Sequence, residues 1–271
     1  GMSLAEVLRT ALFALRGNWL RSALTSLGVI IGIAAVIVMV SAGQGTQAEI
    51  EKLVSGLGSQ RLDIGPGAGR GFGGQRISAS SFYTLTEEDA DAIRREVQGI
   101  QYVGASLRGN TQAVYAENNW SSSWQGVEVD WFAINGWELA SGPGFEARDY
   151  TSGAKSALLG ETVRRELFGE EEAVGQTIRL GRVPFTVVGT LKSKGQGGFG
   201  QDQDDLIVIP LGTARRRMSS NASLPPGAGQ QISVGVADPE GLSEAQAEIE
   251  ALLRQRHKIQ PGAEDDFNVR N

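Results

Sequence analysis

The chain has 271 residues, 41% of them hydrophobic, a formal net charge of −6, no cysteine and one histidine, His257. That length supports one large domain or two small ones with cores of their own, and the acidic balance excludes a phosphate-neutralising nucleic-acid surface. Without cysteine there is no disulfide framework, thiol catalysis or cysteine-linked lipid anchor, and one histidine leaves little scope for metal binding or imidazole acid–base chemistry.

Gly1 ahead of Met2 reads as a leftover of expression, which makes Met2 the natural start. Leu4, Val7, Leu8, Ala11, Leu12 and Leu15 recur at helical spacing, with Arg9 and Arg16 at the polar margin and Trp19 beside Arg21. This predicts an interfacial amphipathic helix over residues 2–22, lying on the inner leaflet; an ordinary pre-membrane helix is the plainer alternative. Ala23 to Ala42 carries no charge, and only Thr25, Ser26 and Ser41 are polar. About twenty helical residues cross a hydrocarbon core of roughly 30 Å, so residues 23–43 are predicted to span the bilayer. Arg9, Arg16 and Arg21 precede the span, and Glu49, Glu51 and Lys52 follow it. That asymmetry places the N-terminus in the cytoplasm and the rest outside the inner membrane. Gly28 and Gly32 form a GxxxG that lets helices approach closely, although glycine is common in such spans anyway. Val40-Ser41-Ala42 also offers small residues to a signal peptidase, which leaves a cleaved secretory signal as the competing reading. Ala48, Ile50, Leu53, Val54 and Leu57 continue the helical register, which favours an uncleaved anchor with a stalk over 44–58.

Arg61 to Ile64 reads as a strand, and the glycine-rich run Gly65 to Gly74 follows. Thr86 with Asp89 three residues on predicts a capped helix, with Glu87 and Glu88 suited to its first turn and Arg94 and Arg95 to its last. Gln101 to Tyr115 is strand material ending near a loop at Glu117-Asn118-Asn119. A second unit of this kind closes the chain. Ile232, Val234 and Val236 alternate, Asp238 to Gly241 turns, and Ser243 with Gln246 is expected to cap a helix with Ala245, Ile249, Leu252 and Leu253 inward. Phe267 to Val269 is the last strand. Two strand–helix–strand units predict an α+β fold, a split βαβ ferredoxin-like sheet with one helical face. Between them lies a β-rich insertion, about 130–229. It holds a strand Ala157 to Leu159, a helix Glu161 to Phe168 stopped by Gly169, and a hairpin of Thr177 to Leu180 with Phe185 to Leu191 around Gly181-Arg182. A strand Leu206 to Ile209 precedes Pro210, and Ser219 to Gly229 reads as a returning loop.

No catalytic, cofactor-binding or metal-binding residue is assigned. Gly69, Gly71, Gly74 and Gly195, Gly197, Gly200 satisfy GxGxxG, but no helix opens on the last glycine of either, and Asp202 to Asp205 would repel phosphate. Asp202, Asp204 and Asp205 lack the glycine and distal glutamate of a calcium loop, so a solvated acidic loop that caps locally is the better reading. No G-x-S-x-G is present, and His257 reads as a helix-end cation or a surface residue. Trp120, Trp124, Trp131 and Trp137 cluster, as core or edge packing before a ligand platform.

Taken together, several segments resemble MacB-type ABC transporter permeases. They are Leu20 to Thr25, Gly28-Val29-Ile30-Ile31-Gly32, Gly43-Gln44-Gly45, Leu159 to Val163, Leu167-Phe168-Gly169, Val174 to Ile178, Phe185 to Gly189, and Asp202 to Asp205 leading into Ile207 to Leu211. The resemblance implies a porter-like part in two pieces, 59–129 and 230–271, with the α/β insertion at 130–229. It implies a permease that is not itself an enzyme and takes no cofactor, working beside a separate cytoplasmic ATPase subunit, a second permease copy, a periplasmic adaptor and the bilayer, for efflux or lipoprotein release. It further implies that the chain stops at Asn271 short of a second membrane helix. A secreted or membrane-anchored periplasmic binding module without a transport role is the alternative.

Overall fold

The computed structural model describes residues 3–56, 60–67, 85–218 and 230–271, with backbone only for 44–56. Two compact units are present, Gly1–Leu57 and Gly58–Asn271.

The first unit is helical. Helix α1, Leu4–Gly17, opens on a capping box in which Glu6 N donates to Ser3 Oγ and Ser3 N to Glu6 Oε2. Leu4, Leu8, Leu12 and Phe13 are all exposed along it. Asn18 breaks the helix, and α2, Trp19–Gly56, then runs 38 residues, about 57 Å at the helical rise. Among the described residues, Trp19–Gly43 is the one stretch long and apolar enough to cross a membrane. The apolar side chains described along it, from Leu24 to Val40, are exposed. The expected apolar positions Ala48, Ile50, Leu53 and Val54 lie outside the described side chains, and Leu57 outside the described residues.

The second unit runs β1 Arg61–Pro66, α3 Glu87–Glu96, β2 Ile100–Tyr115, β3 Asn118–Val127, α4 Asp130–Asn135, β4 Leu139–Ser141, α5 Ala147–Ser152, β5 Ser156–Leu159 and α6 Glu161–Phe168. It continues with β6 Thr177–Leu180, β7 Val183–Leu191, β8 Leu206–Pro210, α7 Leu211–Thr213, a π-turn to Met218, β9 Gln231–Val236, α8 Leu242–Arg256 and β10 Phe267–Arg270. One sheet has the order β10-β1-β9-β2-β3-β8-β5-β7-β4, with β6 paired to both β2 and β7. Its first four strands are antiparallel. They interleave two strand–helix–strand units in the order fourth, first, third, second, which is the ferredoxin-like arrangement.

Alternation explains which face is covered. Leu62, Ile64, Val103, Ala105, Ile232 and Val234 point one way and are fully buried under Ile93 of α3 and Ile249 and Leu253 of α8. Arg61, Asp63, Gln231 and Ser233 occupy the intervening positions and face the other side. In the β3–β8 half both faces are covered. Phe185, Ile178, Ile207, Leu159 and Leu167 form one core, and Val127, Leu158, Leu191, Val208 and Trp131 the other. β8 is accordingly buried along its whole length, as an uninterrupted apolar run requires in a central strand. Trp124 lies over Gly109, its cross-strand partner, where a Cβ would come within 2.6 Å of the ring.

Several expectations need correction. The loop at Glu117-Asn118-Asn119 is only a turn at Ala116-Glu117, and Asn118 begins β3, a strand absent from the reading of the sequence. Ser243 lies inside α8 instead of capping it. Gly241 is the cap residue, and the side-chain cap falls earlier, with Glu240 N donating to Asp238. Asp238 offered a rival cap, and Pro239 after it starts a 3-10 turn there. α4, α5 and β4 are too short for periodicity to reveal. Gly69, Gly71 and Gly74 and the loop Ser219 to Gly229 lie outside the described residues.

Candidate functional site

A cleft of about 380 Å³ lies on the uncovered face of the sheet. Its floor is polar by the strand alternation described above: Arg61 of β1, Ser233 and Gln231 of β9, Ser106 and Arg108 of β2, and Gln125 of β3. Arg108 pairs with Gln125 across β2 and β3, and Ser106 with Gln231 across β2 and β9.

One wall is α4 with Trp137. Trp131, buried, packs edge-on to Phe132 and parallel to Trp137 at 6.5 Å, and Lys194 Nζ sits 4.1 Å from the centre of the Trp137 ring. The tryptophans are therefore packing residues first. The opposite wall is the segment after β7, held by carboxylates. Buried Asp204 accepts from Ser193 Oγ at 2.6 Å, Lys194 N at 2.7 Å and Gly195 N at 3.0 Å. Asp202 accepts from Thr162 Oγ1 at 2.5 Å, and Asp205 from Trp120 Nε1 at 2.9 Å and Ser122 Oγ at 2.7 Å. The three carboxylates thus turn to separate partners. Local capping is what they do, but the expectation of a solvated loop fails at Asp204, which is drawn inward by three charge-assisted bonds. Gly195 and Gly200 both have φ of +75°, so this GxGxxG forms a turn and opens no helix.

Arg61 and Lys194 meet at Asn135. Arg61 Nη1 donates to Asn135 Oδ1 at 2.6 Å, while Lys194 Nζ donates to the Asn135 carbonyl. Arg61 also holds Asp63 through Nε at 2.9 Å. Burial and the Arg61 charge lower the Lys194 pKa, outweighing the pull of Asp204. Sequence reasoning missed Arg61, Asn135 and Lys194. Polar residues at alternate positions of β1 and β9 were the available signal for the floor; nothing in Lys192-Ser193-Lys194-Gly195 signalled the wall.

Two titratable groups lie outside the cleft. The His257 side chain is largely covered, contrary to its surface reading, and its helix-end position at α8 stands. Its Nε2 lies 2.8 Å from Asp89 Oδ2 and its Nδ1 2.8 Å from Asp266 Oδ1, so carboxylates on both sides hold it as the imidazolium. The bond to Asp89 is the main reason its pKa rises to about 8. Burial would raise Asp89, but His257 and Arg256 Nε at 2.8 Å bring it below its ordinary value. Glu128, just after β3, is pushed up to about 7 by burial and by Glu87; Arg94 at 3.7 Å offsets only part of this.

The family model described as MacB-like periplasmic core domain matches residues 22–252. The chain belongs to this family. As a MacB-like periplasmic core domain it is similar to the macrolide export ATP-binding/permease protein MacB of Rhodospirillum rubrum, 36% identical over 99% of this chain and 39% of that protein. The protein of the same name from Syntrophobacter fumaroxidans is 31% identical over 97% of this chain and 44% of its own length. The chain thus spans about two fifths of the curated relatives it matches. The fold is shared with the periplasmic region of MacB from Actinobacillus actinomycetemcomitans, at a TM-score of 0.64 and 20% identity, covering 80% of this chain and 91% of that one. It is also shared with the extracellular domain of the noncanonic ABC-type transporter YknZ from Gram-positive bacteria, at a TM-score of 0.59 and 18% identity, covering 78% and 100%.

Proposed function

We propose that the chain is the permease part of an ABC-type exporter that couples ATP hydrolysis by a separate cytoplasmic subunit to movement of its exterior domain, for efflux or lipoprotein release. The observation that carries this reading is α2, whose 38 residues exceed what a membrane needs. Its apolar first part is long enough for a hydrocarbon core of roughly 30 Å, and its last turns remain as a stalk. On this reading residues 2–22 lie on the inner leaflet, 23–43 cross, 44–58 form the stalk, and 59–271 stand outside the cytoplasmic membrane. The porter-like part comprises 59–129 and 230–271, and the inserted part 130–229. The exposed Leu4, Leu8, Leu12 and Phe13 of α1 support the interfacial placement, and Arg9, Arg16 and Arg21 support the orientation.

The chain works with no catalytic residue and no cofactor of its own, as a mechanical element beside the ATPase, a second permease copy and a periplasmic adaptor. The names of its relatives make a macrolide the first cargo to test.

The absence of cysteine gives a clean test of the arrangement. A Glu117→Cys variant should react with an impermeant maleimide in intact cells with a permeabilised outer envelope, and Ser3→Cys only after lysis. The reverse labelling, or a mature chain starting after Ala42, would sink the arrangement. In the full transporter, a crosslink that immobilises the stalk should abolish macrolide export while ATP hydrolysis persists. Undiminished export would remove the mechanical role.

A further inference from the structure

The polar cleft is lined by three cations, Arg61, Arg108 and Lys194, and two carboxylates, Asp202 and Asp205. Lys194 and Arg108 both line it, and among the described residues neither has an ion-pair partner. Lys194 has spent one of its three donors, on the Asn135 carbonyl. Arg108 has no protein hydrogen-bond partner among the described residues, nor does the side chain of Gln125 directly across from it. Arg61 is matched to Asp63, yet its charge still acts on Lys194, because both cations are drawn onto the same asparagine. The carboxylates that line the far wall keep their charges but are directed at neutral donors, Asp202 at Thr162, and Asp205 at Trp120 and Ser122. The lining is hydrogen-bonding almost throughout, which suits a hydrophilic ligand and not an apolar one.

We propose that this cleft binds an oxyanion, a carboxylate or phosphate group borne by a hydrophilic ligand, through Lys194 and Arg108, with Gln125 supplying an amide and Arg61 a fixed positive field. The logic is that of charge-assisted recognition. Arg108 is unpartnered and Lys194 keeps two donors, the first carried on a strand and the second on a segment pinned by Asp204. The two sources of such a group are a peptide or other carboxylate and a phosphorylated headgroup. The proposal stands whether or not the chain works in an exporter, since it concerns only residues of the exterior unit.

The test uses the full 271-residue chain in non-ionic detergent, with the indole ¹H–¹⁵N signal of Trp137 assigned through Trp137→Phe. Inorganic phosphate and succinate are titrated separately at constant ionic strength. A saturable shift is expected for at least one, and the tighter of the two identifies the class of group. Lys194→Gln and Arg108→Gln, both at exposed positions, should each weaken binding roughly tenfold by removing a charged hydrogen bond. Asn135→Asp should abolish it by placing a resident carboxylate between Arg61 and Lys194, with the far-ultraviolet circular dichroism unchanged. A linear drift with both anions would overturn the proposal, as would undiminished affinity in the Lys194 and Arg108 variants.

Discussion

His257→Gln separates a pH-dependent lock from ordinary packing. The ring joins three parts of the exterior unit: the capping box that starts α3, the end of α8, and Asp266 ahead of β10. Its folded pKa of about 8 stands above the model-peptide value of 6.5, mainly because Asp89 accepts its proton-bearing Nε2. A raised folded pKa means that folding favours the protonated ring. The stabilisation is therefore complete below about pH 6.5 and is lost as pH rises through 8. A shift of roughly one and a half units corresponds to about 2 kcal/mol, and with the side chain only 8% exposed solvent screening takes little from it. Urea unfolding at pH 6 and at pH 9 checks the sign. The parent should lose about 2 kcal/mol more than His257→Gln over that interval, at equal m-values. Other titrations, Glu128 included, are common to both proteins and cancel in the comparison. If the two proteins lose the same stability, the ring is not held as a cation and the reasoning fails.

Glu128→Gln acts in a lower window. A carboxyl raised from 4.5 to about 7 penalises the fold once it ionises, so the amide should leave stability unchanged at pH 4 and raise it by about 3 kcal/mol at pH 8, by the same unfolding assay. Asp204→Ala strands Lys194 N, Gly195 N and Ser193 Oγ together. A loss of about 3 kcal/mol is expected, with faster hydrogen exchange at the Lys194 and Gly195 amides. Gly160→Ala would set a Cβ 2.1 Å from the Asp204 carbonyl oxygen, which only backbone movement can relieve. It should cost about 2–3 kcal/mol in chemical unfolding, while Gly241→Ala, with open space around it, should stay within about 0.5 kcal/mol.

The parts of this fold that were legible from the chain are those where one local signal had no rival. Thr86 and Asp89 form the capping box their spacing predicts, Gly169 ends α6, and Gly181-Arg182 turns the β6–β7 hairpin. Alternation in Leu62/Ile64 and Ile232/Val234 marked the two strands that lie side by side at the middle of the ferredoxin-like part. β3 escaped because Asn118-Asn119 has turn composition and its strand identity comes from ten cross-strand partners in β2. The cleft was less legible still. Arg61, Asn135 and Lys194 lie 74 and 59 residues apart in sequence along the hydrogen bonds that join them, and no spacing rule connects them. His257 could be placed at a helix end, but its partner Asp89 lies 168 residues away.

β2 spends its first residues on β9, between Ile100 and Ser106, and its later ones on β3 and β6, between Ser106 and Tyr115. A single strand thus belongs to the hydrogen-bonded ladder on both sides of the insertion. The inserted part is therefore grafted into the sheet, not hung from it by two loops. Excising it and rejoining the chain would strip β3 of β8 and β2 of β6, and leave β3 as a long unpaired edge open to other strands. By the same token, β1 and β9 are joined to β3 and β8 through the β9–β2 ladder, the length of β2 and the β3–β8 ladder. The two halves of the sheet thus share one strand and not merely a linker.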